Sequence, residues 1–324
     1  MFSTLDFKEF GEHVKQVRKN AKFTQKYVSD TTGINIDTIR RIENGLVIPK
    51  YETLELLSNT YKIDLLKLLS NLRQINPIFK LYKELDQIII HFSNESSYRY
   101  DKIKKLIDEN TDIGVNPLDA LLLSEFITIS KIVLNEINYD YDFVLNKLNE
   151  LMKLAIPSFN FKKFNQFCYS EFEIRILILL GITYQDKNKS ALSIEIFEFC
   201  LNYMLLTTSN DDLSSLQLKI KLYYNLSYAH YKIENDLESL RFADLGISLC
   251  NNHKVHYLLE MLLVRKAVAQ FYLKNDEYMH SFYKALFLLQ SLEQYDKLDY
   301  LIKTTKEKHH IDLTEIYTVL RNYI

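Results

Sequence analysis

Residues 23–45, FTQKYVSDTTGINIDTIRRIENG, decide how the N-terminal part of the chain folds. Thr24 stands just ahead of a helical run, where its hydroxyl can accept a hydrogen bond from an orphaned N–H at a helix start. Gly33 follows, and glycine enters the left-handed region at little cost, so a helix can end there. Asn35 is placed to cap the next helix, and Gly45 to stop it. The spacing turns Ile34, Ile39 and Ile42 inward. It leaves Ile36, Asp37, Arg40, Arg41 and Asn44 outward.

Three more helices surround this pair. Phe10, Val14, Val17 and Ala21 recur at spacings of four, three and four, which predicts a first helix over 7–19. Pro49 opens a loop. Leu54, Leu57 and Tyr61 then mark a fourth helix, and Leu65, Leu66, Leu68 and Leu69 a fifth. Residues 71–77, NLRQINP, read as a linker. From about residue 78 the pattern becomes a run of long helices, with breaks at 110–117, 156–158, 207–212, 234–237 and 274–277. Six glycines and four prolines in 324 residues leave little material for tight hairpins, so the expected fold class is all-α.

Residues 10–69 resemble the phage-repressor (XRE, or Cro-like) type of helix-turn-helix domain. The likeness rests on Thr24-Gln25, Ser29, Gly33, Ile39, Glu43, Gly45 and Pro49 at that family's spacings. It implies a five-helix DNA-binding domain over 1–70, with the helix at 36–43 in the major groove. Ile36, Asp37 and Arg41 match base-reading positions, with Arg40 beside them and Asn35 and Thr38 completing the DNA-facing set. Arginine can grip guanine O6/N7, aspartate can accept from cytosine N4, and isoleucine can pack on a thymine methyl. Gln25 and Asn44 match phosphate-contacting positions. Arg18 and Glu43 match a structural ion pair. Residues 1–70 hold 11 Lys+Arg against 9 Asp+Glu, a weak +2. So small an excess neutralises few phosphates, and tight binding is expected to require a dimer.

Residues 170–206 and 216–252 resemble tetratricopeptide repeats. Leu180-Gly181, Tyr184, Ser193, Phe197 and Cys200 correspond to Leu226-Ser227, His230, Ser239, Ala243 and Gly246, an offset of 46 from 180 to 226. A third copy near 258–290, ending at Ala285, is weaker. Residues 78–324 are therefore expected to form a right-handed superhelix of helix pairs with a concave inner face. That face would carry Arg175, Ile178, Ile182 and Gln185, then Lys221, Tyr224, Tyr228 and Tyr231.

A phage-repressor headpiece followed by degenerate tetratricopeptide repeats resembles the peptide-pheromone-responsive regulators of low-GC Gram-positive bacteria, the RRNPP group. The resemblance implies a repeat domain that dimerises, binds a short signalling peptide and thereby rearranges the DNA-binding domains. Asn225, in YYNLSYAHYKIENDLESL (223–240), stands where that family has an asparagine peptide ligand. Ile178 and Ile182 stand where a member of the family has asparagines. The implied peptide-binding set is Arg175, Tyr184, Gln185, Lys221, Tyr224, Asn225 and Tyr228. The implied partners are an inverted-repeat double-stranded DNA operator, a short peptide and a second copy of the chain.

Net charge is −2 over 324 residues, so the chain as a whole is not a polycation. Cys168, Cys200 and Cys250 are odd in number and far apart, which suits a reducing compartment and small core positions. No basic leader precedes an apolar run, and ILILLGI (176–182) is too short to span a bilayer, so a cytoplasmic protein without a membrane partner is expected. No nucleophile elbow, zincin, P-loop or C-x-x-C pattern occurs, so no enzyme activity or cofactor is implied. His253 and His256, and the pair His309-His310, lack the neighbours a metal site needs. Two other readings stay open. One is a peptide-independent phage or plasmid repressor whose repeats only dimerise or dock a protein. The other is a peptide-regulated phosphatase, although that branch of the wider family lacks the DNA-reading headpiece.

Overall fold

The structure, a computed structural model, describes residues 7–69, 105, 117–135, 139–208, 210 and 212–321. All regular structure among them is helical. The chain divides into two compact units, residues 1–87 with 101–120 and residues 88–100 with 121–324. The expected linker at 71–77 and the helices expected over 78–116 lie outside the described residues.

The first unit contains α1 (Phe7–Asn20), α2 (Gln25–Thr32), α3 (Ile36–Glu43), α4 (Tyr51–Tyr61) and a helical turn α5 over 65–69. Its boundaries have local causes. The Thr24 hydroxyl accepts from the Tyr27 N–H at 3.0 Å, and Asn35 Oδ1 accepts from the Asp37 N–H at 2.8 Å. Gly33 leaves α2 at φ 73° and Gly45 follows α3 at φ 66°. Phe10, Val14, Val28, Ile39, Ile42, Leu54, Leu57 and Leu65 close one core drawn from all five helices. Each such side chain contributes about 1.5–3 kcal/mol on burial.

The approach of α1 to the end of α3 is unusually close. A Cβ at Gly11 would lie 2.4 Å from the Ile42 carbonyl oxygen, and one at Gly45 would lie 2.5 Å from Lys8 Cα. Two glycines therefore let backbone meet backbone, and this contact sets the angle at which α3 leaves the core. Ser29 is small at the α2–α3 corner, and its hydroxyl also donates to the Ile34 carbonyl at 2.7 Å.

The second unit contains most of α6 (Pro117–Asn135), then α7 (Tyr141–Ala155), a 3-10 segment (Phe161–Gln166), α8 (Glu171–Asp186), α9 (Ser190–Thr207), α10 (Leu213–Lys232), α11 (Asp236–His253), α12 (Leu259–Tyr272), α13 (Tyr278–Ser291), α14 (Tyr295–His309) and α15 (Thr314–Arg321). Ser170 and Glu173 form a capping box that starts α8. Asp212 and Asn235 cap α10 and α11. Each helix from α7 to α13 packs on the next, α15 packs back on α13, and the first helices of successive pairs touch, α8 with α10 and α10 with α12.

Small residues mark where paired helices meet. A Cβ at Gly181 would lie 2.3 Å from the Phe197 ring. One repeat on, Ser227 donates to the Ser239 carbonyl at 2.8 Å. The third pair, α12 and α13, uses Ser281 and Ala285, both buried, 42 residues after Ser239 and Ala243. The repeat is therefore regular in space where it is weak in sequence.

Several smaller expectations change. Cys200 and Cys250 are buried, but Cys168 is exposed because it lies in the segment between the 3-10 turn and α8. His309, read from sequence only as half of a neighbouring histidine pair without a metal site, is a core residue. It is 7% exposed, its Nδ1 lies 3.0 Å from the Tyr272 hydroxyl, and His310 ends α14 in the left-handed region. Helix α9 is long and apolar enough to cross a membrane by composition. It carries Glu195 and Glu198, and its Ile196, Phe197, Cys200 and Met204 are buried among its neighbours.

Candidate nucleic-acid interface and peptide-binding face

In the first unit, α3 presents a polar stripe to solvent. Ile36 is 45% exposed, Asp37, Arg40, Arg41 and Asn44 are exposed, and Thr38 is half-buried. Asn35 is exposed, with its side-chain oxygen used by the cap. Arg40 Nη2 lies 2.6 Å from Asp37 Oδ1, one helical turn away. Both side chains are more than half exposed, so the pair is worth at most about 1 kcal/mol and yields readily to other partners. Arg41 has no ion pair or hydrogen bond among the described residues.

The opposite side of α3 is fastened by charge. Arg18 from α1 reaches Glu43 at the end of α3 through Nε to Oε1, 2.6 Å, and Nη2 to Oε2, 2.9 Å. Arg18 Nη1 also donates to the Phe23 carbonyl at 2.9 Å. Gln25 Nε2, at the start of α2, donates to Glu43 Oε2 at 2.8 Å. One buried carboxylate thus joins three helices. The hydrogen bond to Glu43 raises the Arg18 pKa against the effect of burial. Burial pushes the nearby Tyr61 hydroxyl up to about 12, with Glu43 adding to it.

In the second unit, α10 turns Lys221, Tyr224, Asn225 and Tyr228 toward the face it shares with α8 and α12. Asn225 is 5% exposed and Gln185 of α8 is 4% exposed, and neither amide nitrogen has a hydrogen-bond partner among the described residues. The guanidinium of Arg265, on α12, lies 5.2 Å from the Tyr228 ring centre and 5.3 Å from that of Tyr231. Burial raises the pKa of Tyr224 and Tyr228, with Arg265 acting the other way. Arg175 and Tyr184 have other commitments. Arg175 donates to the Glu171 carbonyl at 2.9 Å and to the Ser214 hydroxyl at 2.7 Å, tying α8 to α10. Tyr184 stacks on Phe161 with ring centres 5.4 Å apart. A shallow recess beside them, lined by Phe126, Ile178, Ile182 and Lys221, holds no more than about one water molecule.

Sequence reading missed Arg265. Its helix belongs to the third pair, whose offset drifts to 42, so inner-face positions could not be transferred from the earlier repeats. The usable signal is an arginine inside an apolar helical run, LLVRKAVAQF.

The buried His309 is expected to make the second unit acid-sensitive. Burial first, then Arg265, Lys308 and His310, push its pKa down to about 4. The folded state therefore refuses a proton that the unfolded chain accepts near its ordinary 6.5. Stability is complete above that value and falls as pH drops toward 4, by about 3 kcal/mol at most. Urea unfolding at pH 7, 5.5 and 4.5 should show this loss, and His309→Gln should remove most of it. Parallel curves for the two proteins would rule out His309 as the cause.

The helix-turn-helix domain family matches residues 11–72, about a fifth of the chain. No curated protein sequence matches the chain significantly. Solved structures resemble nearly all of it. Bacillus thuringiensis PlcR, crystallised in complex with the peptide PapR7 and DNA, is 19% identical with a TM-score of 0.65, covering 91% of this chain and 99% of its own. The Streptococcus dysgalactiae SHP pheromone receptor Rgg2 is 13% identical with a TM-score of 0.58, covering 93% and 100%. ComR from S. thermophilus, in complex with DNA and its signalling peptide ComS, is 15% identical with a TM-score of 0.56, covering 93% and 100%. The chain thus carries a helix-turn-helix domain at residues 11–72 and, over more than nine-tenths of its length, the fold of the RRNPP-type pheromone-responsive regulators.

Proposed function

We propose that the chain is a sequence-specific DNA-binding transcription regulator, cytoplasmic and homodimeric. It reads an inverted-repeat operator with α3 and is controlled by a short signalling peptide held by the face of α8, α10 and α12. The observation that carries this reading is the rigid display of Ile36, Asp37, Arg40 and Arg41. Their helix is anchored from behind by the Arg18–Glu43–Gln25 network and by the Gly11 and Gly45 contacts. Side chains that read base edges need a fixed helix, since a small misplacement loses bidentate geometry.

Gln25 fits its proposed phosphate contact. An amide nitrogen carries two hydrogens, and Glu43 takes one, leaving the other for a phosphate oxygen. Asn44, exposed at the end of α3, is assigned the same role. The peptide half rests on the fold shared with PlcR and ComR, and on two buried side-chain amides turned toward one face. An extended peptide presents an N–H and a C=O at each residue, and an amide can serve both. In this reading Gln185, Lys221, Tyr224, Asn225 and Tyr228 contact the peptide, while Arg175 and Tyr184 frame it.

Arg41→Ala tests the DNA half. With an operator selected from random DNA by the full-length protein, fluorescence anisotropy should show a loss of about 1–3 kcal/mol, concentrated at one guanine in each half-site. An equal loss on every sequence would move Arg41 to the phosphate contacts. Unchanged affinity would remove it from the interface.

A further inference from the structure

On the α8–α10–α12 face, Gln185 Nε2, Asn225 Nδ2, and Nε and Nη1 of Arg265 are buried atoms with no hydrogen-bond partner among the described residues, while His230 of α10, also unpartnered, stacks on Phe242 of α11 instead. The amide and guanidinium atoms are all donors. Arg265 is the unusual member: the residue is half-buried, its Nε and Nη1 are shielded from water without a partner, and a guanidinium keeps its charge. Among the described residues no carboxylate lies within 4 Å of it. Nearby acids are engaged elsewhere: Glu260 with Lys297 at 3.9 Å, Asp244 with Lys266 at 2.7 Å, and Asp186 with the Tyr139 hydroxyl at 2.8 Å. The rings of Tyr228 and Tyr231 supply only cation–π contact. The pKa of His309, lowered first by burial and next by Arg265, agrees with a positive charge beside it.

We propose that Arg265 selects the peptide by binding a carboxylate, either its C-terminus or an acidic side chain. This rests on the peptide reading above and narrows it to anionic ligands. A carboxylate carries acceptors only, so it complements a donor-only cluster, and charge-assisted hydrogen bonds are the strong ones. The amides of Asn225 and Gln185 then take backbone carbonyls of the same peptide. The unliganded protein holds an unpaired cation, and the ligand relieves it. Selectivity on this face is therefore electrostatic as well as steric.

The test uses immobilised full-length protein and three pools of random heptapeptides. One has free C-termini and lacks Asp and Glu. The second is C-terminally amidated and contains Asp and Glu. The third is amidated and lacks them. Wild-type protein should retain the first or the second at least about tenfold over the third, and the preferred pool identifies the source of the carboxylate. Arg265→Met should erase the preference, and Arg265→Lys should restore part of it. Arg265→Met should also melt no lower than wild type, since it removes an unpaired charge. Capture without carboxylate preference, or a preference that survives Arg265→Met, overturns the proposal and leaves the peptide reading standing. No capture from any pool overturns both. A lower melting temperature for Arg265→Met would make Arg265 a structural strut and overturn the proposal as well.

Discussion

Glu43→Ala should destabilise the first unit by about 3–5 kcal/mol, enough to unfold it within an otherwise folded protein. The carboxylate side chain is 1% exposed and the guanidinium it holds is 11% exposed. Removing it leaves a buried cation with the Phe23 carbonyl as its remaining partner and also strips Gln25 of its acceptor. The cost is the stranded charge rather than the net value of the pair, and that distinction can be measured. Glu43→Gln keeps an acceptor and the shape, so it should lose less. The double variant Arg18→Met/Glu43→Leu removes both charges and should recover most of the stability. Unfolding curves of the three proteins decide the matter. A double variant as unstable as Glu43→Ala would mean that the bonds themselves, not the stranded charge, hold α3. Operator preference should follow stability: if Glu43→Ala melts normally and changes the base read, Glu43 is a reader and the division between scaffold and reader fails.

The helix-turn-helix pair was legible because the boundaries of α2 and α3 have causes within four residues of chain. Thr24 and Asn35 cap through their own side chains, and Gly33 and Gly45 sit at positive φ. What was not legible is non-local. Gly11 lies inside a helix, where glycine has no local use, and its reason is the backbone of α3 passing 2.4 Å from where a Cβ would stand. Gly45 serves two purposes, and only the turn could be read from sequence. Gln25 was expected at a phosphate, and its bond to Glu43 spans 18 residues that no local pattern links. The Asp37–Arg40 pair is the exception, a local i,i+3 ion pair between two side chains that both face the proposed DNA surface.

The repeats show the same division. Small residues at an offset of 46 located α8 through α11 and the contacts at Gly181 and Ser227. The offset then falls to 42, and the third pair fades from the sequence while its packing persists through Ser281 and Ala285. Side-chain destinations were the least legible part. Helical periodicity placed Arg175 and Gln185 on one face. It could not reveal that Arg175 bonds to Ser214, 39 residues away, whereas the amide nitrogen of Gln185 is left unpaired. Tyr184, expected at a ligand, meets Phe161 from a 3-10 turn that no repeat pattern anticipates.

A fragment of residues 1–72 should bind operator DNA about 10²–10⁴-fold more weakly than the full chain. The fragment keeps the whole core from Phe10 to Leu65, and its circular dichroism and melting are to be checked first, so that weak binding is read only from folded protein. It lacks reach and charge. With +2 over residues 1–70, and with Arg40 sharing its charge with Asp37, one domain neutralises few phosphates. In the proposed dimer, two domains joined through the repeat units would meet the second half-site at the effective concentration set by the joint, and the same contacts would then be counted twice without a second loss of freedom. The salt dependence reports this directly. Each neutralised phosphate adds about −0.9 to the slope of log affinity against log salt, so the full chain should have about twice the fragment's slope. Fusing the fragment to an unrelated dimerising coiled coil should recover most of the lost affinity, which separates tethering from any direct DNA contact by residues 73–324. A fragment within about threefold of the full chain, with an equal salt slope, would show that one domain suffices. In that case peptide control would have to act inside a single chain rather than by positioning two headpieces.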